Sequence, residues 1–85
     1  MGIAWLTLID LYQYHLKKDQ RYMESFFQDA VAATHRDINL MLRVARYYDE
    51  SKISSKAIPY WQEVLRRLPD NEPVRARLQE LNALP

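Results

Sequence analysis

Side chains able to do chemistry are few in this chain and thinly spaced. His15 and Asp19 stand four residues apart, and His35 lies two residues before Asp37. At those spacings an imidazole and a carboxylate can share a metal ion, but each pair supplies two ligands where a zinc site takes three or four. There is no cysteine, which excludes disulfide scaffolds, CxxC redox sites and thiolate metal sites. Both histidines fall near expected helix ends, where an imidazole is ordinarily solvated or caps carbonyls. Ser54-Ser55-Lys56 has no histidine arranged to activate a nucleophile, and its serines read as helix caps. Glu24 and Glu63 lack a second carboxylate at a spacing suited to acid–base work. The one glycine, Gly2, leaves no room for a glycine-rich phosphate loop. The expectation is a protein with no catalytic residues, no metal and no cofactor.

The elements that would hold any site follow from composition and pattern. Eighty-five residues make one domain at most, and a fold this small buries roughly 60–68% of its unfolded surface. With 48% hydrophobic and 27% charged residues the chain is globular, not disordered. Twelve Lys and Arg against eleven Asp and Glu leave a net charge of +1, without the basic excess of a dedicated nucleic-acid or anionic-membrane binder. The apolar run from Ile3 is broken at Asp10, has no basic residue before it and is too short to span a bilayer or act as a signal peptide. Gly2 suggests myristoylation, but that pattern wants Ser or Thr where Leu6 stands. A soluble segment cut from a longer protein at Met1-Gly2 is expected, with its compartment open.

Five helices account for almost the whole chain, because helix formers dominate and breakers recur at intervals. The first runs from about Ile3 to Leu16 and ends in Lys17-Lys18-Asp19-Gln20. Asp19 caps a second, Gln20 to Ala33, with the stripe Met23, Phe26, Phe27, Ala30 and Val31. Asp37 caps a third, Ile38 to Glu50, after the turn Thr34-His35-Arg36-Asp37. Following Ser51-Lys52-Ile53-Ser54, a fourth spans about Ser55 to Leu68, capped by Ser54 or Ser55 and stopped by Pro69. Pro59 then sits in or just beyond its first turn, where a proline costs little. A fifth begins at Asp70-Asn71-Glu72-Pro73 and runs to about Leu84. The fold class is all-α.

Internal similarity organises these helices. Met41, Val44, Ala45 and Tyr48, then Ala57, Trp61 and Val64, then Pro69 follow the spacing W-x2-L-G-x2-Y, A-x3-F, P of the tetratricopeptide repeat. Trp5, Leu8, Ile9 and Tyr12 precede their counterparts by 36 residues, and Met23, Phe27 and Ala30 by 34. Two extra residues therefore fall between Gln13 and Arg21; a strict 34-residue register would bury Asp10 unpaired. His35 replaces the proline, and bulky Ile9 and Met23 replace small residues. The chain thus resembles the tetratricopeptide family over residues 3–71. That resemblance implies a single domain, 1–85, of two antiparallel helical hairpins (3–36 and 37–71) and a capping helix (72–84), a fragment of a right-handed α-solenoid.

Such repeats are protein-interaction modules and scaffolds in which the first helix of each pair lines a concave groove. By resemblance the groove would carry Ile3, Leu6, Asp10 and Gln13, then Asn39, Leu42, Arg43, Arg46 and Asp49, bordered by Ala76, Arg77 and Glu80. Arg46 is also spaced to pair with Asp49 and Glu50 on its own helix. Capture of a C-terminal carboxylate, known in some relatives, is not expected, because Leu6 and Asp10 stand where such a clamp needs Lys and Asn. The first helix is apolar around most of its circumference, whereas a terminal solenoid helix normally turns a polar face outward. Leu11, Tyr14 and Leu16 are therefore candidates for a face covered by a second copy or by further repeats, unless they fold onto the second helix. The alternative from another class is a helical nucleic-acid binder using Arg43, Arg46, Arg66, Arg67, Arg75 and Arg77. Against it, the fourth helix commits Ile58, Trp61, Val64 and Leu65 to packing, and acids interleave the arginines.

Overall fold

The computed structural model describes residues 2–17 and 19–83. Among them all regular structure is helical, without a strand. Five α-helices follow in order: α1 (Gly2–Asp10), α2 (Gln20–Ala33), α3 (Ile38–Glu50), α4 (Ser54–Arg67) and α5 (Glu72–Glu80). α1 continues into a π-helical turn, Leu11–His15, closed by the Leu16 amide donating to the Leu11 carbonyl at 2.9 Å. α5 stops at Glu80, short of the expected end at Leu84, which lies outside the described residues, as does Lys18.

Local chemistry explains the helix starts. The Asp19 carboxylate accepts from the Tyr22 amide at 2.8 Å, the Asp37 carboxylate from Leu40 at 3.0 Å, and the Asn71 side chain from Val74 at 3.2 Å. Each satisfies a donor the first turn cannot pair internally. α4 departs from expectation: neither Ser54 nor Ser55 caps it, and Ile53 holds the cap position with no side-chain bond. The cause is the preceding turn, which is so tight that Ile53 both closes α3 and opens α4. Its amide donates back to Tyr48 at 2.8 Å, and its carbonyl accepts from Lys56 at 3.0 Å.

The helix ends share one device. After α2, α3 and α5 the chain enters the left-handed region at His35, Lys52 and Asn82, with φ of 54°, 62° and 56°. At each end two amides fold back onto the last turn: Arg36 to Val31, Ile53 to Tyr48 and Ala83 to Leu78 make the longer bonds, each 2.8 Å. This is the Schellman closure, usually built on glycine. Here ordinary side chains adopt it, at a steric cost of about 1–2 kcal/mol each.

The chain divides into two compact units, Met1–Leu40 and Met41–Pro85, the boundary falling inside α3. In the first, Ile9, Met23, Phe27, Ala30 and Leu40 are buried, while Trp5, Leu8 and Tyr12 are half-buried. Aromatic edges join α1 to α2: Trp5 meets Phe26 at 5.4 Å between ring centres, and Tyr12 meets Phe26 at 4.9 Å and Tyr22 at 5.5 Å. In the second, Met41, Val44, Ala45 and Tyr48 of α3 are buried, as are Ala57, Val64 and Leu65 of α4 and Val74 and Leu78 of α5. Tyr48 stacks on Tyr60 at 6.1 Å, and α4 packs against α5. Each large side chain fully withdrawn from water, such as Phe27 or Leu78, contributes roughly 1.5–3 kcal/mol.

Candidate interaction surfaces

α3 divides cleanly between core and surface. Leu40, Met41, Val44, Ala45, Tyr47 and Tyr48 are buried, leaving Asn39, Leu42, Arg43, Arg46 and Asp49 at steps of three and four. That spacing is a single stripe of an α-helix. Asn39 and Arg46 are exposed; Leu42, Arg43 and Asp49 are half-buried. On α1, Leu6 and Asp10 share a face and are half-buried, as is Gln13 in the π-turn. Ile3 belongs to the same expected set, but its side chain lies outside the described ones.

Asp49 does something the sequence did not suggest. It faces α5, where Arg77 grips it with two bonds, Nε to Oδ2 at 2.6 Å and Nη2 to Oδ1 at 2.5 Å. This double hydrogen bond holds the Asp49 carboxyl below its ordinary range, against the opposite pull of partial burial. The guanidinium charge and the Trp61 indole N–H act in the same direction as the bonds. That indole nitrogen is buried and has no acceptor within hydrogen-bond geometry. Arg77 is shifted upward in turn, chiefly by its bonds to Asp49. Asp49 therefore pairs with α5, and among the described residues Arg46 forms no ion pair with it. No local spacing signals the contact, because its partners are 28 residues apart. A second tether, Gln62 Nε2 to the Ala83 carbonyl at 2.9 Å, joins α4 to the turn after α5.

The arginines of the alternative reading are largely engaged within the chain. Arg66 and Arg67 both bind Glu63, Arg75 donates to the Pro69 carbonyl at 2.5 Å, and Arg77 holds Asp49. Leu11, Tyr14 and Leu16 are 39%, 53% and 53% exposed, while Tyr12 makes ring contacts with Tyr22 and Phe26 of α2. His15 and His35 are exposed, and among the described residues no three of His, Asp and Glu group closely enough to hold a metal ion. Comparison of the chain with protein-family models, with curated proteins and with solved structures found no match in any of the three.

Proposed function

We propose that the chain is a non-catalytic protein–protein interaction module of tetratricopeptide type, which docks a segment of a partner on the open stripe of α3. The observation that carries this is the division of α3: one face is spent on the core, while Leu42 stands on the other between Asn39, Arg43 and Arg46. An apolar anchor flanked by hydrogen-bonding and basic groups suits an extended or helical peptide with its own apolar side chain and acidic neighbours. Arg77 pairs with Asp49, which leaves Arg46 as the exposed charge beside Leu42 on the stripe. The repeat reading has support in packing. Met41, Val44, Ala45, Tyr48, Ala57 and Val64, at positions matching the repeat pattern, are all buried. Trp5 meets Phe26 while Tyr12 reaches back to Tyr22, the contact order of an antiparallel pair.

Selection of displayed peptides on the immobilised chain tests the proposal. Enriched peptides should combine apolar and acidic residues, and Leu42→Ala with Arg46→Glu should weaken them tenfold or more without loss of helicity. Peptides that bind the double variant as tightly as the parent chain would remove the α3 stripe from the reading.

A further inference from the structure

We propose that the turn joining α1 to α2 is a docking surface for an anionic lipid bilayer. Five large hydrophobic side chains are exposed among the described residues, and four of them fall between positions 11 and 22: Leu11, Tyr14, Leu16 and Tyr22. Scattered apolar side chains on a surface mean little, whereas a concentration of them marks a contact site. The ring contact of Tyr12 with Tyr22, 5.5 Å between centres, sets the start of α2 beside the π-turn, so the four belong to one end of this helix pair.

Charge decides what covers them. Lys17 and Arg21 are exposed in the same stretch. Its one carboxylate, Asp19, is spent on the Tyr22 amide at the positive end of α2. A second copy seated on this surface about a twofold axis would bring Lys17 and Arg21 of both chains together, so like charges oppose that occupant. A bilayer interface takes both kinds of side chain. Leucines enter the acyl boundary, tyrosines lie at headgroup level and the cations meet lipid phosphates, which is the composition of interfacial anchors. The overall charge of +1 conceals this local excess. No described helix is long and apolar enough to cross a membrane, so the contact is peripheral.

The test is co-sedimentation of the full chain with vesicles of phosphatidylcholine alone and of phosphatidylcholine mixed with phosphatidylglycerol. Binding is expected to the anionic vesicles, to fall with added salt, and to be weak on the neutral ones. A basic residue near an anionic surface is worth about fivefold in partitioning, so Lys17→Gln with Arg21→Gln should weaken binding ~25-fold. Tyr14→Ser with Leu16→Ser should weaken it on both vesicle types, with helicity retained because both side chains are exposed. Leu42→Ala should leave it unchanged, which separates this surface from the α3 stripe. No binding to anionic vesicles, or equal binding to both kinds, overturns the proposal. So does a dimer in light scattering that Leu11→Glu or Tyr14→Glu dissolves, since that assigns the face to a second copy.

Discussion

Replacing Asp49 by Asn removes the charge that joins α3 to α5 and keeps the side chain's size. The magnitude follows from exposure. Asp49 is 15% exposed and Arg77 37%, so water reaches the guanidinium and screens the pair. A fully buried pair broken on one side would cost 3–5 kcal/mol, but here Arg77 regains water when its partner is lost. Bidentate geometry and the low exposure of Asp49 place the coupling at the upper end of the surface range, about 1 kcal/mol. The assay is a double-mutant cycle of Asp49→Asn and Arg77→Gln by urea unfolding. A Trp5→Phe background leaves Trp61, in the second unit, as the only tryptophan. Additive single effects, with a coupling below about 0.3 kcal/mol, would refute the claim that this pair secures α5.

The same pair sets a pH dependence. The Asp49 carboxyl lies below its ordinary value of 3.8 in the folded chain. The unfolded chain therefore holds more protons between the two values, and stability rises with pH there. The contribution is complete above pH 3.8 and disappears as pH falls through the lower folded value. Asp49→Asn should flatten this limb of the stability curve; an unchanged limb would mean that other carboxylates produce it.

Three further substitutions test the helix boundaries and the core. Lys52→Gly should stabilise by about 1 kcal/mol, because glycine meets no Cβ penalty at φ 62°; circular-dichroism melting that falls instead would show that the Lys52 side chain contributes more than its strain costs. Pro59 is the exposed sixth residue of α4, past the first turn where it would cost little, and cannot donate to the Ser55 carbonyl, so Pro59→Ala should raise stability by about 1–3 kcal/mol in urea unfolding. Leu78 is fully buried, and Leu78→Ala should cost about 2–5 kcal/mol, with hydrogen exchange in α5 accelerating first.

What the sequence disclosed was whatever depends on near neighbours. The caps Asp19 and Asp37 act across three residues, and both bonds form. The stripe Met23, Phe27 and Ala30 repeats at helical spacing and is buried. The turns after α2 and α3 were legible as polar stretches, but their mechanism was not, since the residue that normally signals such a closure is glycine and His35 and Lys52 take its place. Ile53 was hidden for the same reason: once Lys52 turns left-handed, the next residue must begin α4 and the serines move inside it. The π-turn was invisible too. Its bond spans five residues where an α-turn spans four, so it takes up one additional residue at 11–15. That is close to where the repeat register calls for an insertion, though the register placed it from Gln13 onward.

Asp49 marks the boundary of such reading most sharply. Spacing on one helix offered Arg46 as its partner, an i, i+3 neighbour that costs little chain entropy to bring near. Arg77 wins because it arrives already placed: Val74 and Leu78 bury the adjoining face of α5, and the Gln62 tether fixes the turn beyond it. A guanidinium held in position by packing loses less rotamer freedom on pairing than the exposed Arg46 would, and its fork matches both carboxylate oxygens. The consequence reaches the proposed docking face. With Asp49 withdrawn into the α5 contact, Arg46 is the exposed charge beside Leu42 on the α3 stripe, so the partner segment should place an acidic residue there. Asp49→Asn should therefore leave the acidic bias of selected peptides intact while loosening α5, and a loss of basic residues from the peptides that variant selects would show that Asp49 faces the partner.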